Sequence, residues 1–536
     1  MGALTLKSFP FELRGWDIEK FESLDPTDGF GTSTRVYISK QQVIQIEPDH
    51  SAITTDAWLS DKGRQFFDGI FGVWVNQNKN LFLKKESWQN SIKQLLKTLC
   101  LFEHCAAKTK NQQFLTVVFE NLGLETLSLL KILERNFSFL KLKRAENLET
   151  PNDLEFNFQL NAVTSTNKLE SSTLCLLVAN NTRYEGYRLN LNLRQRYLKG
   201  NFKCLVLGSL LDLTFQNTTI GTNARILGQI AEGSNFACQD IKTAKKPLLI
   251  FGSEFHKRGD SENFLKLFSN LPYTNLIAPR WNGLNNLNST LSETGMQNLA
   301  TFEPLKTKDF RESSSFYFIN TNSKNIANLK KIAELKLLNY QAANLTGQPN
   351  VSKIVLDQSN CSHSSPNFFH LKTDKSYISL PVKMFYENKE TFINTEGLIK
   401  RTNKLISGRK TREGWKLLRN LQKQLKKRYI SLKKKNNNIL SFNSIKQSNF
   451  INFMNFHFCA IETIDSAHDS LITQNQPFSF NPRHSFFRQN LLKTPNSKLK
   501  YSIDDFFVGG KDLYSKNSLV LSKCSKILRT QSTNFF

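Results

Sequence analysis

Leu174-Cys175-Leu176-Leu177-Val178-Ala179-Asn180-Asn181-Thr182-Arg183-Tyr184-Glu185 is the stretch that decides the fold. Its first six residues form an apolar run bounded by polar residues, too short for a buried helix, and read as a strand covered on both faces. Leu189 to Leu198 follows as an Arg-rich helix, and Phe202 to Gly208 is a second apolar run. Ala224 to Ala231 reads as a second helix, with Gly233 as its C-cap. Leu248 to Gly252 is a third strand and Asn263 to Leu271 a third helix. This β-α-β-α-β order predicts a parallel sheet covered by helices. Phe316–Asn320 and Lys353–Leu356 read as later strands of the same kind.

Upstream, residues 1–70 read as strand and turn. Asp28-Gly29-Phe30-Gly31 is a turn signal, and Thr34–Ser39 with Gln42–Pro48 makes a hairpin through Val36, Ile38, Val43, Ile44 and Ile46. Trp58 to Phe71 reads as a short helix. Residues 86–145 read as helical, with Ser87 as N-cap before Trp88, Ile92, Leu95, Leu96 and Leu99. Downstream, residues 412–428 form an amphipathic helix with Trp415, Leu418, Leu421 and Leu425 on one side. Residues 433–450 are rich in Lys, Asn and Ser and read as a linker or insertion. Residues 465–500 read as irregular, and Tyr501–Leu521 as a short terminal element.

At 536 residues the chain has room for about three domains. It is 39% hydrophobic and 11% aromatic, enough for a sizeable core. The 43 phenylalanines, with abundant Asn, Lys, Ile and Tyr, match AT-rich codons and suggest an organellar genome. The net charge of +27 points at first to a polyanion partner. However, Lys400 to Lys435 holds fifteen Lys or Arg against the single acid Glu413, about half of that charge. A solvated helix face explains this run better than RNA or anionic lipid, because aromatic interleaving is limited to Trp415 and Tyr429.

The cysteines are Cys100, Cys105, Cys175, Cys204, Cys238, Cys361, Cys459 and Cys524. They contain no Cys-x-x-Cys pair, so zinc and iron–sulfur sites lack their usual framework. Scattered thiols fit a reducing compartment. No window reaches a membrane-spanning length: Phe202–Phe215 contains Lys203 and Asp212, and Ile451–Ile464 contains His457 and Glu462. The expectation is a soluble or peripheral protein. Early acids (Glu12, Asp17, Glu19, Glu22) argue against a presequence, so an organellar protein of this kind would be made inside the organelle.

The chemical candidates are weak. Gly29-x-Gly31 lacks the third glycine of a dinucleotide loop and precedes a hairpin, so a tight turn is expected. Gly509-Gly510-Lys511 lacks the rest of a P-loop. His104-Cys105 and His457-x-Cys459 each lack a matching second pair, and Tyr501-Ser-Ile-Asp504-Asp505 is one residue too long for a polymerase Tyr-x-Asp-Asp core. The expectation is no catalytic, cofactor-binding or metal-binding residue on this chain.

Several blocks together resemble the large iron–sulfur subunit family of respiratory complex I (NADH:ubiquinone oxidoreductase). Gly2-Ala3-Leu4-Thr5 and Phe11-Glu12-Leu13-Arg14-Gly15-Trp16 open in the family's order. Val178 to Glu185, with Asn190, Arg194, Gln195 and Arg196, resembles its strand and "Thr-Asn-Pro-Arg-Phe-Glu" turn. Val206 to Thr214, through Gly208-Ser209 and Asp212-Leu213-Thr214, matches the next strand end. Ala244-Lys245-Lys246-Pro247 leading to Gly252-Ser253, Leu380-Pro381, Glu387 to Gly397, Trp415 to Arg419 and Ile503 to Phe507 continue the match. Departures are Asn181-Thr182 for the family's Asn-Pro, Leu211 after a missing Pro, Lys383-Met384 at small positions and the insertion after residue 430.

The resemblance implies a degenerate molybdopterin-oxidoreductase-like fold without molybdenum. It implies four regions: 1–75, β-rich and packed on a cluster-bearing partner; 76–430, α/β; 431–500, insertion or linker; 501–536, C-terminal element. In the family, Gly-Ala-Leu-Thr follows a Cys-Pro-Val whose Cys is a cluster ligand; Met1 stands there here. The expectation is therefore a split subunit, with iron–sulfur clusters on a separate polypeptide carrying the N-terminal half. The function expected is a non-catalytic structural subunit of the peripheral arm, among other peripheral-arm subunits. It would lie on the matrix side of the mitochondrial inner membrane, be encoded in the organelle and bind no nucleic acid. The alternatives are an organellar RNA-binding protein, ribosomal or maturase-like, and an active molybdopterin enzyme.

Overall fold

The structure is a computed structural model. It describes residues 13–49, 58–70, 114–137, 140–145, 169–269, 275–278, 281–299, 302–306, 309, 313–320, 355–358, 377–379, 382–407, 413–435, 498–499, 505–509 and 512–533. Strands are numbered in chain order and helices are named by their residues.

An antiparallel sheet opens the chain: β1 (Glu19–Leu24), β2 (Ser33–Ser39) and β3 (Gln42–Pro48), in the order β1-β2-β3. The expected hairpin is β2–β3, turning at Lys40-Gln41, both at positive φ. β1 lies within the stretch read as strand and turn, but its bounds are not legible, because Glu19, Lys20 and Glu22 obscure its alternation. The short helix expected near residue 60 is Asp61–Gln65, where the Ser60 hydroxyl caps the Gly63 amide at 2.9 Å.

Expected helicity across 86–145 is corrected. Residues 71–113, including Ser87 and its apolar series, lie outside the described residues. Beyond them come β4 (Phe114–Phe119), the helix Leu124–Asn136 and β5 (Leu140–Arg144). Phe-Leu-Thr-Val-Val-Phe is β-branched and aromatic, which favours a pleated strand. Leu140-Lys-Leu-Lys-Arg alternates with the strand period rather than the helical one.

The decisive block folds as read. It runs β6 (Leu174–Val178), helices Thr182–Glu185 and Tyr187–Leu198, β7 (Lys203–Leu207), β8 (Thr218–Gly221), helices Arg225–Glu232 and Ala237–Thr243, and β9 (Pro247–Gly252). The helix Ser261–Ser269 follows, and Gly233 caps its helix in the left-handed conformation. A small pair, β10 (Ile277–Ala278) and β11 (Trp281–Asn282), then leads to β12 (Leu284–Leu287) and the helix Glu293–Leu299. The main sheet has the order β12-β9-β6-β7-β8, and these pairings are parallel.

Alternate residues of β6, β7 and β9 enter different cores. Leu176, Val178, Leu205, Leu207, Leu249 and Phe251 pack against Leu227, Ile230, Ile241, Phe264 and Phe268. Cys175, Leu177, Cys204, Val206, Leu248 and Ile250 pack against Leu189, Leu193, Phe30 and Trp281. Two covered faces are why the strands read as unbroken apolar runs. Each such large side chain contributes about 1.5–3 kcal/mol on burial.

β13 (Ser313–Ile319) and β14 (Val355–Gln358) form with β15 (Tyr377–Ser379) a second sheet, in the order β15-β14-β13-β4-β5, also paired in parallel. The expected later strands thus build their own sheet instead of extending the first. A two-stranded hairpin, β16 (Thr391–Ile393) with β17 (Ile399–Arg401), precedes the helix Gly414–Lys435. That helix presents Leu417, Leu418 and Leu421 to the core over Leu127 and Leu130, with Trp415 packed beside them. Two helices, Leu513–Asn517 and Leu519–Thr533, make the terminal element, the second running well past the expected end at Leu521. The tracts 433–450 and 465–500 lie almost wholly outside the described residues. No described helix is long and apolar enough to cross a membrane.

Candidate functional site

In an open parallel sheet the strand order reverses at a switch point, and ligands bind beyond the carboxyl ends of the strands there. Here that point lies between β6 and β9. Its two loops touch. Ala179 leaves β6 at φ 51°, and Asn180 Nδ2 donates to the Ile250 carbonyl at 2.9 Å. A Cβ on Gly252 would lie 2.3 Å from the Ala179 carbonyl oxygen and 2.6 Å from Asn180 Cβ. The glycine is what permits this approach.

The turn that follows β6 and the segment that follows β7 lock one another. Asn181 caps its helix through the Arg183 amide at 3.2 Å. Thr182 Oγ1 donates to Asn190 Oδ1 at 2.9 Å, and Asn190 Nδ2 donates to the Leu213 carbonyl at 3.1 Å. Arg183 meets Asp212 at 2.6 Å; the pair is mostly exposed and contributes less than about 1 kcal/mol. Arg196 donates to the carbonyls of Ser172, Gly200 and Asn201, tying its helix to the edge of the sheet. Beyond β7 and β8, Leu499 donates its amide to the Thr222 carbonyl at 2.8 Å and buries its side chain in the core beside Val178 and Phe251. At this edge the described residues pack closely on one another, Gly252 on Ala179 and Asn180, and Leu499 on Thr222.

The Gly29-x-Gly31 stretch is the expected turn, packed onto the end of β12. Asp28 Oδ1 accepts from the amides of Phe30 at 3.0 Å and Gly31 at 3.2 Å. A Cβ on Gly29 would lie 2.2 Å from the Asn288 carbonyl oxygen. Thr395 and Asn394 close over it, donating to the Gly29 and Phe30 carbonyls at 2.8 and 3.1 Å. Lys400, the first residue of the basic run, turns inward and donates to the Gly31 carbonyl at 2.8 Å.

Behind this turn lies a buried charge cluster with no sequence signal beyond an Asp in a turn. Asp25 and Asp28 sit in the interior. Burial pushes the Asp25 carboxyl up to about 6, and burial, with Asp25 beside it, pushes Asp28 up to about 7. Lys62 pairs with Asp512 at 2.9 Å and donates to the Gly509 carbonyl at 2.7 Å, with both charged side chains almost fully buried. Tyr187 donates to Thr32 Oγ1 at 2.8 Å, and Arg188 faces Glu396 at 3.5 Å.

A third acid stands apart. Burial, then the neighbouring Glu125 and Glu413 carboxylates, push Glu390 up to about 8. It is therefore protonated at neutral pH. All three shifts are upward, so their contribution to stability is complete below about pH 4 and is lost as pH rises through about 6 to 8. Glu390→Gln keeps the neutral form at any pH. Melting curves are expected to show the variant matching the parent at pH 5 and exceeding it at pH 9, by on the order of 3 kcal/mol. Equal melting at both pH values would contradict this placement of the proton.

The remaining candidates are accounted for by packing or fall outside. Asp505 accepts from the amides of Phe507 and Val508, from the Ser525 hydroxyl and from Arg529, joining the terminal helix to the turn before it. Tyr501 and Asp504, like His104, Cys105, His457 and Cys459, lie outside the described residues. Among the described residues no group of three or more His, Cys, Asp or Glu could hold a metal ion. Cys175 and Cys204 are buried register partners on β6 and β7, and both thiols are free.

A switch-point sheet with helices on both faces is the architecture of the doubly wound α/β proteins, in which nucleotides and flavins bind. The molybdopterin oxidoreductase model matches residues 99–424, and the chain belongs to that family. Its curated homologues are large complex I subunits. It is 26% identical to the NADH-ubiquinone oxidoreductase 75 kDa subunit of Reclinomonas americana, over 80% of this chain and 60% of that one. It is 24% identical to the mitochondrial NADH dehydrogenase [ubiquinone] iron-sulfur protein 1 of Solanum tuberosum, over 78% of this chain and 53% of that protein. With the mitochondrial 78 kDa subunit of Neurospora crassa it shares 24% identity over 79% and 54%. The chain thus spans between about half and three fifths of the length of these relatives.

Proposed function

We propose that this chain is a non-catalytic structural subunit of NADH:ubiquinone oxidoreductase. It supports a cluster-bearing half carried on a separate polypeptide, on the matrix side of the mitochondrial inner membrane, and it is encoded in the organelle. Electrons pass through the partner, and this chain holds no cofactor. The observation that carries the reading is the closed carboxyl edge, Gly252 against Ala179, in a chain colinear with the 75 and 78 kDa subunits. Two further features support it. The antiparallel sheet β1-β2-β3 lies within the region 1–75, which the family resemblance leads us to expect on the cluster-bearing partner. Trp16 and Trp58 there are 82% and 61% exposed, the aromatic type enriched in interface cores.

Affinity purification of the tagged chain from organelles tests the proposal. The expected eluate contains complex I subunits, an iron–sulfur polypeptide bound to this chain, and NADH:ubiquinone reductase activity. Elemental analysis of the native eluate should find iron but no molybdenum. Purification free of any complex I subunit, or stoichiometric molybdenum on the native chain, would overturn it.

A further inference from the structure

The antiparallel sheet, the terminal helices and the main sheet meet at one buried joint. Its centre is the connection from β1 to β2, Asp25 to Thr32, which places Phe30 in the main-sheet core beside Leu189 and Leu193. Lys62 reaches this connection from the helix Asp61–Gln65, and Asp512 from the cap of Leu513–Asn517. Tyr187 and Arg188 come from the first turn of the helix Tyr187–Leu198, and Tyr386 from the turn Phe385–Glu387. Glu396 and Lys400 come from the β16–β17 hairpin.

Among the described residues three cations reach this joint, and other carboxylates already engage two of them. Lys62 lies 2.9 Å from Asp512, and Arg188 lies 3.5 Å from Glu396. Lys400 donates to the Gly31 carbonyl and faces both Glu396 and Asp28. One positive charge is left for two neighbouring carboxyls, Asp25 and Asp28. Both are buried, and each has one satisfied oxygen. Asp25 Oδ1 accepts from the Thr27 amide at 2.9 Å, and Asp28 Oδ1 accepts from Phe30 and Gly31. Each also has a buried Oδ2 with no hydrogen-bond partner among the described residues. Two adjacent carboxyls with one counter-charge ionise in turn, and the second resists charging in the interior. A proton on either Oδ2 balances the joint.

We propose that Asp25 and Asp28 hold one proton between them at neutral pH and that its release opens the joint, so that acidification tightens the antiparallel sheet and the terminal helices onto the main sheet. The closed joint binds the proton. In the open joint both carboxyls are solvated, regain their ordinary acidity and lose it. Opening therefore releases a proton and becomes easier as pH rises, until the closed joint has lost the proton as well. With Asp28 pushed up to about 7, that limit falls near neutrality. The inference concerns the joint within this chain and stands whether or not the complex I reading does.

Hydrogen exchange of the tag-purified full chain, with the intrinsic pH dependence of amide exchange divided out, reads the opening directly. For amides of β1, β2 and the helix Leu513–Asn517, the opening constant is expected to rise about tenfold between pH 6 and pH 8, most of it before about pH 7. Asp28→Asn keeps the acceptor for Phe30 and Gly31 and fixes a neutral group beside Asp25, so the rise should shrink to less than about twofold. Asp25→Asn should behave alike, since either amide supplies the neutral member, and it serves as the test if the first variant does not fold. Changing both at once leaves the spare cation without a counter-charge, so at pH 6 the joint should open about tenfold more than in either single variant. Glu390→Gln, outside the joint, should keep the parent's rise. The inference is overturned if both single variants keep the parent's pH dependence, or if the double variant stays as closed as the single ones. It is also overturned if the joint's amides open only together with those of β6, β7 and β9 at every pH.

Discussion

Lys62→Met is expected to destabilise the protein by about 3–5 kcal/mol, the range for breaking a buried ion pair from one side. Methionine keeps most of the stem volume, so the loss is electrostatic rather than a cavity. Lys62 Nζ loses Asp512 at 2.9 Å and the Gly509 carbonyl at 2.7 Å. Asp512 would remain buried, and it caps the helix Leu513–Asn517 through the Ser515 amide at 2.8 Å. Asp25 also loses a cation that lowers its pKa, so it holds its proton to a higher pH. The residues joined are 450 positions apart in the chain, so the terminal helices should become the first region cut in limited proteolysis. Urea unfolding measures the total. A double-mutant cycle with Asp512→Asn should show strong coupling, because the second change removes the stranded charge. A single-mutant loss under about 1 kcal/mol would mean that water reaches the pair.

Gly252→Ala is the second large effect, at about 3 kcal/mol, the upper part of the usual range for overpacking. The new methyl would sit 2.3 Å from the Ala179 carbonyl oxygen, and backbone has no rotamer with which to yield. Relief requires β6 and β9 to part at their ends, which strains the Asn180–Ile250 hydrogen bond. Gly228→Ala is the control. It lies in the helix Arg225–Glu232 with nothing within 4 Å of its added Cβ, and should stabilise by roughly 0.5–1 kcal/mol. Thermal melts of the three proteins decide the matter. A neutral Gly252→Ala would show that the loops separate readily, and that the carboxyl edge can open into a crevice after all.

Much of the main sheet was legible because each of its strands is a short apolar run set between helical segments, and such a pattern is local. Gly233 and the Asp28–Gly31 turn were legible for the same reason, since caps and turns depend on neighbouring residues. The strands β4 and β5 were not. Phe114–Phe119 is apolar at nearly every position, so it carries no period of two, and the helical spacing upstream suggested a continuing helix. The basic run illustrates a different limit. Lys400 and Lys416 look alike in sequence, yet one is drawn inward to the Gly31 carbonyl and the other stays exposed beside Glu413. Whether a lysine is solvated depends on which backbone groups arrive next to it.

The sequence by itself determined the class of fold and the family, through apolar runs, their helical intervals and ordered motif blocks, all of which are encoded over a few residues. Only the tertiary structure decided that Phe114–Phe119 pairs between β13 and β5, that Lys62 meets Asp512, that Leu499 seals the main sheet, and that the loops after β6 and β9 touch. Those outcomes rest on contacts between distant segments. Their energies come from burial and desolvation, which no single segment carries until the others have packed against it.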